Sequence, residues 1–449
     1  MNQHLLAELK DKIAGEVVTS TDSAYSTLRN VLARTGNPAL IVRCQNNADV
    51  ALAIAFARAN GLKLSVRSGG HAMSGVGTND GGLVIDLSHL GSVNLIDAKH
   101  NLVRIGAGAR WGDAAKTIAS HGLAISSGDT NSVGVGGLTV GGGIGWMVRK
   151  YGLTIDSLES AEIVLASGRT LTVSETAHPE LFWAIRGGGG NFGVVTSFVF
   201  RAQPVRDVWG GRILYGMADY EAVLKGWVRA MDSAPEELNS TLVIFSGFGP
   251  TVPPGLMVLV CYAGADEALA QAAIQPLREL GTIQHQDIEK KPYYKMLEDA
   301  VAPPGLRTVT QNGFAKTISP ELLDALLKGY GKPGTPILQI RRLGGAINRI
   351  PANATAFAHR DAEAFILAAS LVPADMPADQ AEQIRQTSWQ PLAPFATGAY
   401  INFLSDLGAE SLAAAYPTDT YARLASIKAT YDPENIFNQN GNIVPTKAG

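Results

Sequence analysis

Residues 65–71 read Ser65-Val66-Arg67-Ser68-Gly69-Gly70-His71. They continue an apolar run, Leu64 to Arg67, that predicts a short strand, and the paired glycines predict a sharp turn directly after it. Such a turn lets main-chain N–H groups approach a ligand closely, and a diphosphate is the obvious ligand. His71 would be exposed and held at a fixed distance from that ligand, so its imidazole is a candidate nucleophile. A histidine that merely hydrogen-bonds a turn is the alternative.

Two further glycine clusters follow along the chain. One has seven glycines within twelve residues, and the other runs from Gly187 to Gly190. Three such loops can surround an anion with neutral amide donors, and we expect the anion to be part of a dinucleotide. Their spacing matches neither a Rossmann fingerprint nor the Walker A pattern. Tight turns in a close-packed domain are the alternative for any single loop. The glycines of the denser cluster are Gly134, Gly136, Gly137, Gly141, Gly142, Gly143 and Gly145.

Short apolar runs alternate with helical stretches from Pro38 to about Ala202, and each run ends in glycine or polar residues. A helix is predicted from Asn47 to Asn60, and a hairpin turn at Ser167-Gly168. This part is therefore expected to be an α+β domain with glycine-rich loops. The predicted strands are Ala39–Val42, Leu64–Arg67, Leu83–Leu87, Leu102–Ala107, Ala161–Ala166 and Arg169–Val173.

The chain changes character after Arg201, where the glycine clusters thin out. A second domain is predicted there, with a broad antiparallel sheet and helices on one side. Gln339 and Arg341 share one face of a predicted strand, because side chains alternate along a strand with a period of two. The predicted strands are Leu242–Phe245, Leu256–Tyr262 and Ile337–Leu343, and the predicted amphipathic helices are Glu267–Leu280 and Ala354–Ala369.

The composition is that of an ordinary enzyme, with 449 residues, 46% hydrophobic residues and a formal net charge of -3. Without a basic patch, neither nucleic acid nor a membrane surface is an expected partner. Cys44 and Cys261 are too few for a disulfide framework or a cysteine metal site, and no metal is expected. The stretch Met1–Val17 lacks the apolar core of a signal peptide, and no apolar run is long enough to span a membrane. We therefore expect a soluble, cytoplasmic protein.

Five motifs, in order along nearly the whole chain, resemble the FAD-linked oxidases of the berberine bridge enzyme-like type, within the vanillyl-alcohol oxidase (PCMH-type) superfamily. The resemblance implies a two-part PCMH-type FAD-binding domain, residues 1–205 with a C-terminal segment 405–449. It also implies a substrate-binding domain, residues 206–404, whose large antiparallel sheet is covered by helices. The motifs are Arg67–His71, Val133–Gly145, Arg149-Lys150-Tyr151-Gly152-Leu153, Trp183–Gly193 and Tyr431-Asp432-Pro433-Glu434-Asn435-Ile436-Phe437.

The resemblance makes His71 a covalent anchor, bonded to the 8α methyl carbon of the flavin. Relatives with two anchors carry a cysteine where this chain has Thr130, so a single covalent attachment is expected. Val133 aligns with a position beside the reactive flavin edge, where valine accompanies access for dioxygen. Further FAD contacts are implied for Arg67, Ser68, Gly69, Gly70, Ser74, Gly128, Thr130, Val133, Gly134, Gly136, Gly137, Gly141, Gly142, Gly143, Gly145, Val194 and Asn402.

The segment Tyr400-Ile401-Asn402-Phe403 resembles the family's Tyr-x-Asn motif, which makes Tyr400 the first candidate for the catalytic base. A phenol ordinarily has a pKa of about 10, so this role needs help from its surroundings, and an aromatic packed at a domain seam is the alternative. Some relatives have a carboxylate on the strand where this chain offers Gln339 and Arg341 as substrate contacts. Arg341 could bind an anionic or carbonyl group, although a structurally paired arginine is the alternative.

The implied reaction moves a hydride from a small alcohol, sugar or amine to the flavin, and dioxygen then reoxidises the flavin and leaves as hydrogen peroxide. No residue selects among these substrates. A dehydrogenase that uses another electron acceptor is the alternative enzyme. A flavin-carrying protein that has lost turnover and a nucleotide-binding module without flavin are alternatives from other classes.

Overall fold

The computed structural model describes residues 3–247, 253–299 and 303–446. Its strands form three sheets in this part of the chain. Two of them lie in the N-terminal part and the third, much larger, lies in the middle of the sequence. The predicted α+β class is confirmed. Among the described helices, none has the length and apolar character needed to cross a bilayer.

The first sheet consists of β1 (Glu16–Thr19), β2 (Leu40–Arg43), β3 (Leu64–Arg67) and β4 (Leu83–Asp86). The spatial order is β1-β2-β4-β3, in which β4 runs parallel to both β2 and β3. The Gly-Gly turn that begins at Ser68 therefore leaves the sheet at the carboxyl end of its parallel strands, which is where ligands bind in open α/β sheets.

The second sheet is antiparallel, with the order β5-β6-β9-β7-β8, and includes the predicted hairpin of β7 with β8. Its strands are β5 (Val93–Asp97), β6 (Leu102–Gly106), β7 (Leu158–Val164), β8 (Thr170–Ser174) and β9 (Val194–Arg201). The helices of this N-terminal part are Gln3–Lys12, Tyr25–Leu28, Asn47–Ala59, Trp111–Ala119, Val135–Gly141, Val148–Tyr151 and Pro179–Ile185.

The third sheet is antiparallel and has the order β13-β10-β12-β11-β16-β17-β15, with β14 also paired to β10. Its strands are β10 (Asp207–Gly216), β11 (Leu238–Phe245), β12 (Gly255–Tyr262), β13 (Ile283–Gln286), β14 (Glu289–Pro292), β15 (Leu306–Ala315), β16 (Ile337–Arg342) and β17 (Ala364–Pro373). The helices of this part are Tyr220–Asp232, Glu267–Arg278, Pro320–Gly329, Ala346–Arg349 and Ala378–Trp389.

The two faces of the third sheet have different neighbours. Leu338 and Ile340 on β16 belong to one core with Trp227 and Leu322, which lie on the helices that cover the sheet. Gln339 and Arg341 alternate with them and lie on the opposite face, as predicted. That face is directed at the N-terminal part of the molecule, since Arg341 donates a hydrogen bond to the carbonyl of Ile144.

The predicted helix from Ala354 to Ala369 is wrong. Residues 354–362 have no regular structure, and Ala364–Pro373 is strand β17, which pairs with β15 on one side and β16 on the other. The alanines favour a helix locally, but ladder hydrogen bonds to two neighbouring strands outweigh that weak preference. His359 therefore lies in an irregular segment, where its Nε2 is 3.0 Å from the carbonyl oxygen of Ala415.

The C-terminal helices, Ala409–Ala415 and Thr418–Tyr431, pack on the N-terminal part. Leu424 and Phe437 share a core with residues of the first two sheets. The buried ammonium of Lys428 donates to the carbonyl oxygens of Asn191 (2.9 Å) and Phe437 (2.8 Å). The chain thus returns to its first domain after the third sheet, although the predicted boundaries at 205 and 405 stay predictions.

Candidate active site

The Gly-Gly turn is held at the end of β3 by a buried ion pair. The Arg67 guanidinium donates to a carboxylate oxygen of Asp86 at 2.5 Å, and it also donates to the carbonyl of Leu28. Both charged side chains are buried, so each charge needs the opposite charge beside it to offset the cost of leaving water. Arg67 therefore fixes the start of the turn to the first sheet. Its predicted contact with the cofactor stays a prediction.

The Gly-Gly turn and the start of the dense glycine cluster touch through their main chains. A Cβ on Gly69 would lie 2.3 Å from the amide nitrogen of Gly134, and a Cβ on Gly134 would lie 2.1 Å from the amide nitrogen of Gly69. The Ser68 hydroxyl donates to the carbonyl of Ala107 (2.5 Å) and accepts from the amide of Gly136 (3.2 Å). Only glycine fits at the two contact positions, and the two loops form one surface.

This surface presents unpaired backbone donors. In the described part of the chain, the amides of residues 69–72 donate to no protein acceptor. The loop is half-buried, and unpaired half-buried amides on a glycine turn form an anion-binding concavity without using basic side chains. The turn thus fits a diphosphate. Ser74 lies at its far end, in the turn that the amide of Gly75 closes onto the carbonyl of Ala72.

His71 projects from this turn and is half-buried. Its Nε2 lies 2.9 Å from the hydroxyl of Ser132, which in turn donates to a carboxylate oxygen of Asp299 at 2.5 Å. Burial lowers the pKa of His71; the Asp299 charge opposes this and the Arg110 charge adds to it. The imidazole is consequently neutral near pH 7, as a nucleophile must be.

The loop that contains Thr130 lies between the two halves of the molecule. The Thr130 hydroxyl donates to Asp129 (2.9 Å), and Asp129 accepts a 2.5 Å hydrogen bond from the buried guanidinium of Arg341. Arg341 also donates to Ile144 and to the hydroxyl of Thr241. All three guanidinium nitrogens are thus engaged by protein atoms. Arg341 fixes the loop to the third sheet, and its predicted substrate contact stays a prediction.

Gln339 is the other predicted substrate contact, and its environment differs. It lies on the same sheet face as Arg341 and is half-buried. Its backbone is paired in register with Val243, while its side-chain amide has no hydrogen-bond partner among the described residues. This amide is therefore available to a ligand on that face of the sheet.

Tyr400 is buried behind the dense glycine cluster. Its hydroxyl oxygen accepts hydrogen bonds from the amide of Gly143 (2.9 Å) and from the Asn402 side chain (2.8 Å). Burial raises the pKa of Tyr400 to about 12, although both donors act in the opposite direction. The two donors would stabilise a phenolate, and they leave the hydroxyl proton free to point elsewhere. Asn402 also donates to the carbonyl of Leu138 (3.2 Å), which fixes the motif against the cluster.

The remaining glycines of the dense cluster pack against protein. A Cβ on Gly141 would lie 2.2 Å from the Asn402 side chain, one on Gly143 would lie 2.1 Å from Thr154, and one on Gly145 would lie 2.6 Å from the amide of Ser127. Their predicted cofactor contacts are untested. Five other residues are predicted to contact the cofactor. Gly128 and Gly142 are buried and have positive φ, and Val194 is buried at the start of β9. Gly137 and Val133 are more exposed.

Three of the four glycines in the third run donate their amides to the protein itself. The amides of Gly187 and Gly189 both donate to the carbonyl of Val140, and that of Gly188 donates to Ala184. Gly187 adopts a φ of +125°, and a Cβ there would lie 2.3 Å from the amide nitrogen of Phe357. Gly190 differs from the other three, since its amide has no acceptor among the described residues. The expectation that this run helps to surround the anion stays a prediction.

Two family models match separate parts of the chain. Residues 38–174 match the family described as FAD binding domain, and residues 399–444 match berberine and berberine-like proteins. (R)-6-hydroxynicotine oxidase of Paenarthrobacter nicotinovorans is 32% identical, over 96% of this chain and 97% of that protein. The chain belongs to the berberine-like family of FAD-linked oxidoreductases.

Other members of this berberine-like family agree in sequence and structure. The xylooligosaccharide oxidase of Thermothelomyces thermophilus is 32% identical over 73% of this chain and 69% of its own length. The crystal structure of 6-hydroxy-D-nicotine oxidase from Arthrobacter nicotinovorans superposes with a TM-score of 0.85 at 30% identity, covering 97% of this chain and 99% of that one. The predicted family, the FAD-dependent oxidoreductase function and the cofactor FAD are confirmed.

Sequence reasoning missed three residues of this berberine-like site: Asp129, Ser132 and Asp299. Ser132 adjoins the dense glycine cluster and could have been suspected from its place before Val133. Asp299 lies 167 residues further along the chain, and nothing in its surrounding sequence indicates that it meets His71. Only the folded chain brings it there.

Proposed function

We propose that the protein is an oxidase that takes a hydride from a small organic substrate and gives its electrons to dioxygen. The observation that carries this proposal is the half-buried Gly-Gly turn with unpaired amides at residues 69–72 and a neutral His71 at its edge. When bound, FAD supplies the hydride acceptor and the site of dioxygen reduction to hydrogen peroxide. The protein binds and orients both partners.

FAD is held, in this proposal, by the amides of the Gly-Gly turn at its diphosphate and by one covalent bond to His71. Thr130 stands where doubly attached relatives have cysteine, and its hydroxyl is engaged by Asp129, so a second bond has no thiol to form from. Val133 is half-buried in the same loop, where a small apolar side chain leaves room for dioxygen.

Tyr400 is the proposed base for the proton that leaves substrate together with the hydride. Its two donors, the amide of Gly143 and the side chain of Asn402, stabilise the charged phenolate that the reaction requires. Burial keeps the pKa of Tyr400 at about 12, so only a small fraction is ionised at neutral pH. We infer that activity rises with pH.

The proposed substrate has a C–H bond beside an alcohol, sugar or amine heteroatom. Relatives that match most of this chain are named as oxidases of 6-hydroxynicotine and of xylooligosaccharides, an amine and a sugar. Gln339 offers an unengaged amide for such a polar substrate. Both cysteines are buried and unpaired, which suits a reducing compartment, and we propose a cytoplasmic location.

Acid precipitation of the purified protein tests the cofactor attachment. A yellow pellet, with a flavin-sized mass addition on the tryptic peptide that contains His71, is expected. In His71→Ala the flavin should move to the supernatant. A colourless wild-type pellet above a yellow supernatant would contradict the covalent bond and keep the flavoprotein.

Reoxidation of the reduced enzyme tests the choice of electron acceptor. We expect stopped-flow mixing with dioxygen to return the flavin absorbance rapidly and to give one hydrogen peroxide per flavin. Slow reoxidation by dioxygen, with fast reoxidation by a quinone or dye, would identify a dehydrogenase. A screen of alcohols, sugars and cyclic amines under anaerobic conditions then identifies the substrate by flavin bleaching.

A further inference from the structure

A chain of hydrogen bonds connects His71 to a carboxylate from a distant part of the sequence. Nε2 of His71 lies 2.9 Å from Oγ of Ser132, and Oγ of Ser132 donates to Oδ1 of Asp299 at 2.5 Å. The Ser132 amide donates to the same carboxylate oxygen at 2.8 Å, and the Asn131 side chain donates to the other at 3.2 Å. Asp299 is therefore held by three donors and in turn fixes the hydroxyl of Ser132.

This arrangement determines which nitrogen of His71 carries the proton. A carboxylate only accepts hydrogen bonds, so the single hydroxyl proton of Ser132 points at Asp299. The hydroxyl can then offer only a lone pair to the imidazole, and Nε2 must be the protonated nitrogen. Nδ1 is left with its lone pair, and it has no hydrogen-bond partner in the described part of the chain.

Asp299 is ionised at neutral pH, so it can only accept hydrogen bonds. Asp299 is exposed, and although partial desolvation raises its pKa, the hydrogen bonds from Ser132 and Asn131 outweigh that effect and lower it. The ring of His71 is neutral because its own pKa is lowered, mainly by burial. Asp299 and Arg110 are the charged groups that act on the ring, with opposite effects on its protonation.

We propose that Ser132 and Asp299 are positioning residues that hold His71 in the Nε2-protonated tautomer and direct its Nδ1 lone pair at the flavin during covalent attachment. The inference rests on the proposed attachment through His71. It assigns a role to two residues that bind neither substrate nor the reacting carbon of the cofactor.

Attachment forms one bond, from Nδ1 of His71 to the 8α carbon, and breaks one C–H bond of that carbon. The electron pair of the broken bond is left on the flavin ring system, which is thereby reduced by two electrons. As Nδ1 is alkylated the imidazole would become positively charged, and it would lose its Nε2 proton through the Ser132 hydroxyl to the Asp299 carboxylate, which would release it to solvent. The reduced ring system would keep the two electrons and the proton from the 8α carbon. Dioxygen would then take the two electrons with that proton and one from solvent, and leave as hydrogen peroxide.

The experiment follows attachment separately from binding. The full chain is produced in riboflavin-limited cells, mixed with FAD, and sampled over time for total bound flavin and for acid-precipitable flavin. Ser132→Ala and Asp299→Asn should bind FAD yet attach it about tenfold or more slowly, the size of effect typical of lost outer hydrogen-bond partners. Ser132→Thr, which keeps the hydroxyl, should restore the rate of attachment.

Glu298→Gln is the matched control. Glu298 is exposed like its neighbour Asp299 but pairs with Arg212 instead of Ser132, so this change removes a charge from the same segment without touching the chain of hydrogen bonds. It should attach flavin at the wild-type rate. Should Ser132→Ala fail to fold, the comparison of Asp299→Asn with Glu298→Gln decides the question.

Three results would overturn the inference. Wild-type attachment rates in Ser132→Ala and Asp299→Asn would show that the chain of hydrogen bonds does not contribute to flavin attachment. Equal slowing in Asp299→Asn and Glu298→Gln would show that the slowing comes from loss of any negative charge in this segment and not from loss of the hydrogen bond to Ser132. A wild-type protein that binds FAD but never gains acid-stable flavin would instead remove the proposed attachment itself, and that result is distinguishable from the first two.

Discussion

The glycine runs at residues 69–70 and 187–190 look alike in sequence and are used differently. In the first, the amides of residues 69–72 donate to no acceptor among the described residues, as an anion-binding turn requires. In the second, Gly187, Gly188 and Gly189 donate their amides to carbonyls of the protein itself. A glycine run thus indicates close approach of a main chain, and only the location of the amide acceptors tells whether a ligand or another strand of protein approaches it.

Two neighbouring side chains show the same contrast between groups bonded to the protein and groups left unbonded. Gln339 and Arg341 share one face of β16, yet the guanidinium of Arg341 is saturated by Asp129, Ile144 and Thr241 while the amide of Gln339 has no partner among the described residues. Saturated groups hold the fold, and unsaturated ones are available to ligands. Four comparisons between variants test this distinction, in order of expected effect.

Gly69→Ala should abolish flavin binding. Its Cβ would lie 2.3 Å from the amide nitrogen of Gly134, so the two loops must separate and the anion-binding surface is lost. The ratio of flavin to protein absorbance after purification measures the effect. Gly91→Ala is the control, since its nearest added contact, to the carbonyl of Ser88, is an ordinary 3.5 Å. Full flavin content in Gly69→Ala would refute the proposed position of the diphosphate.

Tyr400→Phe should lower kcat by about a hundredfold or more, as expected for loss of a general base. Because the pKa of Tyr400 is raised to about 12, the phenolate fraction of the wild type grows as pH rises from 7 to 10, and kcat/KM should grow with it. The profile of Tyr400→Phe should be flat over that range. Tyr416→Phe, which removes another buried hydroxyl bonded to Gly187, should retain both activity and pH dependence.

Gly187→Ala should destabilise the fold by about 3 kcal/mol or more, because strain at positive φ and a 2.3 Å approach to the Phe357 amide act together. Gly189→Ala, also at positive φ but with 3.8 Å to its nearest neighbours, should cost only about 1 kcal/mol. Urea unfolding of the two variants measures the difference. Loss of flavin from Gly189→Ala without loss of stability would mean that this run binds the cofactor after all.

Gln339→Ala should raise KM about tenfold with little change in thermal stability, since a lost hydrogen bond to substrate costs about 1–1.5 kcal/mol. Arg341→Lys should do the reverse, lowering the melting temperature because lysine cannot satisfy Asp129, Ile144 and Thr241 together. A large KM effect in Arg341→Lys with unchanged stability would restore this arginine as a substrate contact.

The fold was largely predictable where local pattern and final environment agree. The strand Leu64–Arg67 has the predicted bounds, and the helix from Asn47 ends within one residue of its predicted end. The amphipathic pattern predicts a helix over residues 354–369, yet residues 364–369 form part of strand β17. They lie between strands β15 and β16. Because those partner strands are distant in sequence, their pairing with β17 cannot be predicted from the local residue pattern.

The sequence by itself determined the strand and turn at residues 64–71, the glycine-rich loops, and the family to which the chain belongs, because these depend on local conformation and on ordered motifs. Only the tertiary structure decided which glycine amides stay unpaired, that Arg341 is saturated by Asp129, and that Ser132 and Asp299 meet His71. Each of these depends on atoms far apart along the chain. Hydrogen bonds form between whichever groups the packing of sheets and loops brings within about 3 Å, and no local stretch of sequence specifies that meeting.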